Sequence, residues 1–244
     1  MKKKRILCSL LTLAMLMALL TVTAFAEEAA LTLPTGGGTL ASGTYQLTEN
    51  LTISHSLIIP SGNDITIDLN GHTLDTTAAS CGVLVYGTCT IVDSDSAKNG
   101  KIESGTYAFG IFPGGELRIN GGTTNASGTA STAIVNYPGA VLKISNAKVS
   151  SSVGPALQNQ GTVTIQGAEL NSGVAAGIFN LDGSVTVSDS TIYGNDNGIL
   201  NGLEGFVGNP SIIISNSTVS SNASYAVNNA LPGSSLTATK TNFI

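Results

Sequence analysis

The sequence is poor in charge, in histidine and in tryptophan. Charged residues make up 10% of its 244 positions, histidine occurs twice and tryptophan is absent. Because a surface helix needs a strongly polar face, we expect such a chain to satisfy its backbone through strand ladders instead. Glycine is frequent, at 29 residues, and Ser, Thr and Asn accompany it, which is typical of many short turns.

The N-terminal residues have the three parts of a signal peptide. Residues 2–5 are all basic, an apolar stretch runs from residue 6 to about residue 20, and the triplet Ala24-Phe25-Ala26 follows. This pattern predicts a signal peptide over residues 1–26, with cleavage before Glu27. The apolar stretch is short for a bilayer span, so we expect a secreted or cell-surface protein with no stable membrane span after cleavage.

Positive charge is scarce in the part that follows the signal peptide. Four of the ten basic residues lie in residues 1–26 and none of the fifteen acidic ones does, so the remaining formal charge is 6 − 15 = −9. Nucleic-acid binding requires a basic surface that neutralises phosphates. We therefore expect no nucleic-acid partner.

Internal repetition is the strongest signal in the chain. Units begin at Gly139, Gly161 and Gly183, a period of about 22 residues. An apolar-x-apolar segment recurs eight times, as Ile65-Thr66-Ile67, Cys89-Thr90-Ile91, Leu117-Arg118-Ile119, Leu142-Lys143-Ile144, Val163-Thr164-Ile165, Val185-Thr186-Val187, Ile212-Ile213-Ile214 and Leu236-Thr237-Ala238. Alternation places the outer residues of each triplet inward and the middle one in solvent. This pattern predicts an all-β fold, a right-handed single-stranded parallel β-helix with coils of about 22 residues.

A second short apolar segment in each coil ends in asparagine. Asparagine tolerates the left-handed conformation of a tight corner, and amides one strand spacing apart can hydrogen-bond to one another. We therefore predict an asparagine ladder that consists of Asn136, Asn159, Asn180, Asn201 and Asn228.

The segment from Thr44 to Leu74 resembles the opening coil of exported bacterial right-handed parallel β-helix proteins of the pectate-lyase-like superfamily, through its stretch Ile65 to Leu74, which reads ITIDLNGHTL. An uncovered solenoid edge would template aggregation, so we expect residues 27–50 to form an N-terminal cap region and residues 51–244 to form the β-helix. The last coil is incomplete at Ile244, which leaves two alternatives: a fragment of a longer protein, or a last coil that lies exposed. Relatives with this fold include polysaccharide lyases, hydrolases, tailspikes and adhesins.

The catalytic residues of the enzyme relatives are hard to find. The Gly-His-Gly and Arg-x-Lys segments of the hydrolases are missing. A lyase needs a basic side chain and clustered acids that hold calcium, and the nearest approach is Glu116, Arg118 and Lys143, which alternation places outward on adjacent coils. A solvated ion-pair patch explains these three residues equally well. With only two histidines and no Cys/His cluster, we expect no metal site and no cofactor.

Aromatic residues suggest a binding surface instead. If Ile134 and its equivalents point inward, an outward column contains Leu84, Phe112, Val135, Gln158, Phe179 and Leu200, and two positions further along lie Tyr86 and Tyr137. Sugar rings stack on exposed aromatic faces. The candidate ligand-binding residues are therefore Tyr86, Phe112, Tyr137 and Phe179, together with Phe206 in an insertion that breaks the period after Asn201.

Two cysteines, Cys81 and Cys89, follow the signal peptide. In an exported protein they can form a disulfide, or they can pack as two small core residues. The sequence leaves both alternatives open.

These observations favour a non-enzymatic secreted or cell-surface binding or adhesion module. The expected partner is an extracellular polysaccharide or a host or cell-surface glycan. The alternative is a polysaccharide lyase or glycoside hydrolase whose active site does not show in the sequence.

Overall fold

The computed structural model describes residues 30–129, 131–205 and 208–244. Within those ranges the chain forms strands and turns but no helix, and we number the strands β1 to β27 in chain order. Each strand pairs in parallel with the strand three places later in the chain, so the strands form three sheets of a parallel β-solenoid. The predicted all-β parallel β-helix is confirmed.

Each sheet holds nine strands. Sheet 1 consists of β1 (Gly38–Thr39), β4 (Leu57–Ile59), β7 (Cys81–Val85), β10 (Tyr107–Ile111), β13 (Thr132–Asn136), β16 (Leu157–Asn159), β19 (Ile178–Asn180), β22 (Ile199–Asn201) and β25 (Val227–Asn229). Sheet 2 consists of β2 (Gly43–Gln46), β5 (Asp64–Asp68), β8 (Thr88–Val92), β11 (Glu116–Asn120), β14 (Val141–Ser145), β17 (Thr162–Gln166), β20 (Ser184–Ser188), β23 (Ser211–Ser215) and β26 (Ser235–Thr239). Sheet 3 consists of β3 (Leu51–Thr52), β6 (Thr73–Asp75), β9 (Lys101–Ser104), β12 (Thr123–Ala126), β15 (Lys148–Ser151), β18 (Glu169–Ser172), β21 (Thr191–Gly194), β24 (Thr218–Ser221) and β27 (Asn242–Phe243).

Alternation along the strands fills the interior with aliphatic side chains. In β17, Val163 and Ile165 are buried, while Thr164 between them is exposed. Burying one such side chain stabilises the fold by about 1.5–3 kcal/mol. All eight apolar triplets predicted from the sequence lie in sheet 2. The pattern missed a ninth strand, β2, whose Tyr45 is buried.

The first coil begins inside the range that the sequence assigns to the cap. Strands β1 and β2 already belong to sheets 1 and 2, and Leu31 forms a parallel bridge to Tyr45. The predicted signal peptide, residues 1–26, and residues 27–29 of the cap lie outside the described residues. In the part of the chain that the structure describes, no helix is long and apolar enough to cross a bilayer.

The coils vary around the predicted length of 22 residues. Paired positions lie 21 residues apart from Leu157 to Ile178, 26 apart from Leu57 to Val83 and 28 apart from Ile199 to Val227. The additional residues lie in turns, where they do not disturb strand pairing. In the 26-residue coil the turns of residues 60–63 and 69–72 have four residues each, whereas the 21-residue coil has two residues at each of these corners.

The asparagine ladder is confirmed for four of its predicted members. The side-chain Nδ2 of Asn136 donates to Oδ1 of Asn159 at 2.7 Å, Asn159 donates in the same way to Asn180 at 2.8 Å, and Asn180 to Asn201 at 2.8 Å. All four side chains are fully buried. The ladder therefore runs inside the solenoid, at the end of the strands of sheet 1.

The predicted fifth member, Asn228, is wrong. Asn201 pairs with Asn229 in the strand register, and its Nδ2 donates to Oδ1 of Asn229 at 2.6 Å. Asn228 pairs with Leu200 instead. The strand ends in two consecutive asparagines, and the prediction took the first of them, whereas the register places the second, 28 residues after Asn201, in the ladder.

The conformational reason given for the ladder also needs correction. Positive φ angles are found not at the ladder but at the corner between sheets 2 and 3, where Asn70, Asn146, Asp189 and Asn216 have φ between 46° and 52°. A short polar side chain tolerates this left-handed conformation. The ladder asparagines are instead selected by amide hydrogen bonding in the interior.

Candidate functional site

The outward faces of sheets 1 and 2 differ in chemistry. The outward column in the middle of sheet 2 is mainly polar and contains Thr66, Thr90, Arg118, Lys143, Thr164, Thr186, Ile213 and Thr237. The matching column of sheet 1 is mainly apolar and contains Ile58, Leu84, Gly110, Val135, Gln158, Phe179 and Leu200. Even interrupted by Gly110 and Gln158, apolar residues grouped on one face indicate an interaction surface more than isolated apolar residues do.

Three aromatic rings stack at the edge of sheet 1. The ring centroids of Tyr86 and Phe112 lie 4.5 Å apart with an interplanar angle of 13°, and those of Phe112 and Tyr137 lie 5.0 Å apart with an angle of 22°. The side chains of Tyr86 and Tyr137 are 38% and 37% exposed. We call these three residues the aromatic column.

The register corrects the predicted position of Phe112. Gly110, not Phe112, pairs with Leu84 and Val135. Phe112 follows Ile111 as Tyr86 follows Val85, so it lies between the two tyrosines. A Cβ atom on Gly110 would lie 3.4 Å from Cε2 of Phe112, which shows that the ring leans over the position where the glycine has no side chain.

Stacking changes what the aromatic column can offer to a ligand. The faces of the rings pack against one another, so Phe112, between the two tyrosines, presents mainly its edge to solvent. Phe179 does not belong to the stack, because it occupies the Leu84 column two coils beyond Val135. Phe206 lies outside the described residues.

A groove of about 600 Å³ lies beside the aromatic column, on the N-terminal coils of sheet 1. Ile58 and Leu84 are its half-buried apolar floor. One wall is formed by residues 36–38 with residues 54–56, and the other by residues 78–80. Tyr86 lies two residues after Leu84 on the same outward face.

Backbone hydrogen bonds hold the first wall in place. Gly38 N donates to Ser56 O at 2.9 Å, and Ser54 N donates to Thr35 O at 3.1 Å. Gly37 has a φ of 74°, and a Cβ atom there would lie 2.2 Å from the carbonyl oxygen of His55. Only glycine fits so close to the neighbouring backbone, so this wall exists before any ligand arrives.

The second wall is fixed in the same way. Ala79 N donates to Thr76 O at 3.0 Å, and the hydroxyl of Thr106 donates to Ser80 O. The first contact closes the turn of residues 76–80 on itself, and the second ties it to the next coil. The groove is therefore a preformed feature of the solenoid.

His55 is the titratable residue of the groove, and the sequence did not single it out. Its Nδ1 lies 3.2 Å from the carbonyl oxygen of Gly36 and 3.0 Å from Oγ of Ser54. Nδ1 donates to the carbonyl oxygen in one tautomer and accepts from the Ser54 hydroxyl in the other, and in both Nε2 is the ring nitrogen left for a ligand. No pattern in the sequence could have found this residue, because turns of successive coils build the groove.

The structure brings the three weak catalytic candidates together as ion pairs. Glu116 lies 3.0 Å from Arg118 and 2.7 Å from Lys143. The hydrogen bond from Lys143, followed by the charge of Arg118, holds the pKa of Glu116 below its ordinary value despite partial burial. An ionised Glu116 is a poor general acid, and a Lys143 that donates to it is a poor general base.

Both cysteines are free thiols. Cys81 lies on sheet 1 and Cys89 on sheet 2, and both are buried. Burial raises the pKa of Cys81 to about 11 and that of Cys89 to about 12, so both are protonated and unreactive near neutral pH. In the structure, Cys81 and Cys89 are therefore two small packed core residues and not a disulfide.

Comparison with known proteins assigns no function to these residues. No protein-family model matches the chain, and no curated protein or solved structure matches it significantly. The resemblance to the pectate-lyase-like superfamily therefore rests on the repeat and on residues 65–74.

Proposed function

We propose that this protein is an exported, non-enzymatic binding or adhesion module of the bacterial cell surface, and that its ligand is a carbohydrate. The proposal includes membership of the pectate-lyase-like superfamily, with binding in place of cleavage. The single observation that carries it is the preformed groove beside the aromatic column on the apolar outward face of sheet 1.

The chemistry of this face suits a sugar. A pyranose ring has an apolar C–H face and a rim of hydroxyl groups, so it is bound by apolar surface together with uncharged hydrogen-bonding groups. The groove supplies apolar surface through Ile58 and Leu84, and it supplies hydrogen-bonding groups through its serines and His55. Its volume lies within the range of small-ligand sites.

The carbohydrate proposal is tested with a panel of immobilised polysaccharides and the purified protein. We expect binding to at least one glycan, and weaker binding after Tyr86→Ala or Tyr137→Ala. Thr186→Ala, on the outward face of sheet 2, is the matched control and is expected to bind as well as the parent. Absence of binding to every glycan contradicts the proposal.

The same panel tests the alternative of a lyase or hydrolase. After incubation, each polysaccharide is assayed for unsaturated products and for new reducing ends. We expect neither product. Turnover that is lost in Arg118→Ala or Lys143→Ala would replace binding by catalysis as the function and would move the site to sheet 2.

A further inference from the structure

We infer that the groove selects an uncharged saccharide and excludes uronic acids. The inference rests on the proposed function, because it names the class of carbohydrate and the subsite that holds it. Residues of the N-terminal coils build that subsite: Gly36, His55, Ile58 and Leu84, with Ser54 and Ser80 at the walls.

The lining of the groove contains no charged side chain. Its residues are Gly, Ala, Ser, Ile and Leu, and His55 is the titratable one. A carboxylate that leaves water needs a cation or several strong donors, and a guanidinium or ammonium group is the usual partner. The whole chain has a formal charge of −5, which disfavours the approach of an anionic polymer. A neutral sugar needs no charged partner in the groove and is not repelled by the negative charge of the chain.

The hydrogen-bonding groups match hydroxyls. Nδ1 of His55 lies within hydrogen-bonding distance of Gly36 O and of Ser54 Oγ, so Nε2 is left for a sugar hydroxyl, which can donate to it or accept from it. Serine hydroxyls at the walls can donate or accept, as sugar hydroxyls can. A carboxylate can only accept, whereas a sugar hydroxyl can take either role with these groups.

A substitution at Gly36 can place a side chain in the groove without disrupting the fold. A Cβ atom at Gly36 meets no atom within 4 Å, and this residue has no positive φ angle. A side chain at this position therefore extends into the open groove. Gly37 next to it has no such freedom. Gly36→Leu is expected to fill the groove while it leaves strand pairing and the midpoint of thermal unfolding unchanged.

The experiment measures the affinity of the purified protein for neutral oligosaccharides (gluco-, manno- and xylo-oligomers) and for oligogalacturonate and oligoalginate by calorimetry. We expect binding within the neutral set only, and its loss in Gly36→Leu. His55→Asn keeps an amide near Gly36 O but removes Nε2, so it should weaken binding about three- to tenfold, the value of one hydrogen bond. Thr186→Leu, on sheet 2, should leave the affinity unchanged.

The outcomes separate this inference from the proposed function. Uronate binding that equals or exceeds neutral binding overturns the selectivity, while the carbohydrate function stands. Neutral binding that survives Gly36→Leu and His55→Asn overturns the groove as the subsite. Absence of binding to both sets overturns the proposed function itself.

Discussion

At the scale of single residues, the two ends of the asparagine ladder are not equivalent. Asn180 accepts from Asn159 and donates to Asn201, both at 2.8 Å. Oδ1 of Asn136, in contrast, is buried without a hydrogen-bond partner, because the neighbouring position in the preceding coil is Ile111. Each bond in the ladder points the same way, so the first member keeps an unused acceptor.

This polarity predicts unequal costs for the same substitution. Asn180→Leu removes the donor to Oδ1 of Asn201, and we expect it to lower the free energy of unfolding by about 1–3 kcal/mol. Asn136→Leu removes the unused acceptor and extends the aliphatic stack, and Oδ1 of Asn159 still accepts from Gly161 N at 3.0 Å. We expect it to cost clearly less. Urea unfolding of both variants checks this, and equal costs would contradict the polarity.

The ion pairs of Glu116 predict a pH-dependent contribution to stability. The pKa of Glu116 is lowered in the folded protein, chiefly by the hydrogen bond from Lys143. A depressed carboxyl pKa stabilises the fold above the ordinary glutamate value, about 4.3, and this contribution is lost as the pH falls through the folded value. The three side chains are partly exposed, so the effect is at most about 1 kcal/mol.

Glu116→Gln measures this contribution directly. We expect a small loss of stability at pH 7 that shrinks as the pH falls through the lowered pKa of Glu116, and that shrinks also in high salt. Glu169→Gln is a useful comparison, because Glu169 pairs with Lys148 at 3.0 Å and is more exposed, at 50%. An equal loss at pH 3 and at pH 7 would show that the effect is not electrostatic.

At the scale of elements, the aromatic column is also a structural feature. Inside the solenoid, sheet 1 ends in aliphatic residues on the coils of Val85 and Ile111, and in amides from Asn136 onward. The stacked rings follow those two aliphatic residues and the first amide. The aromatic column on the outside is thus followed along the solenoid by the asparagine ladder on the inside. Both stabilise the corner at which the strands of sheet 1 end.

We therefore expect Phe112→Leu to be destabilising even without a ligand. Leucine keeps most of the apolar volume but loses both ring contacts, each worth about 0.5–1.5 kcal/mol. Phe179→Leu is the matched control, because Phe179 stacks on no other ring within the described ranges. Thermal unfolding should show the larger drop for Phe112→Leu. Equal drops in the two variants would show that the ring contacts add no stability beyond apolar burial.

The sequence predicts the elements better than it predicts the surface. Sheet 2 follows from alternation, because each coil must bury two apolar side chains at fixed spacing. Phe112 was placed in the wrong column because Gly110, which has no side chain, leaves no mark in an apolar pattern. The groove was missed because it is formed by turns of unequal length, and period arguments do not specify how such turns pack.

At the scale of the whole molecule, stability depends on neighbouring coils. Each coil of a solenoid contacts chiefly the coils before and after it, so burial is greatest in the middle. Val163 in β17 is buried, whereas Leu236, at the matching position of β26, is 37% exposed. Equivalent positions of one column therefore make different contributions.

This gradient predicts where truncation of a core side chain has global consequences. Ile165→Ala should cost about 2–5 kcal/mol of global stability, and the slowest amides of β14, β17 and β20 should all exchange faster. Leu236→Ala should accelerate exchange in β23 and β26 while the slowest amides of β17 keep their rates, because the last described coil opens by itself. Native-state hydrogen exchange distinguishes the two. If Leu236→Ala accelerates all coils equally, the solenoid unfolds as one cooperative unit and local opening plays no part.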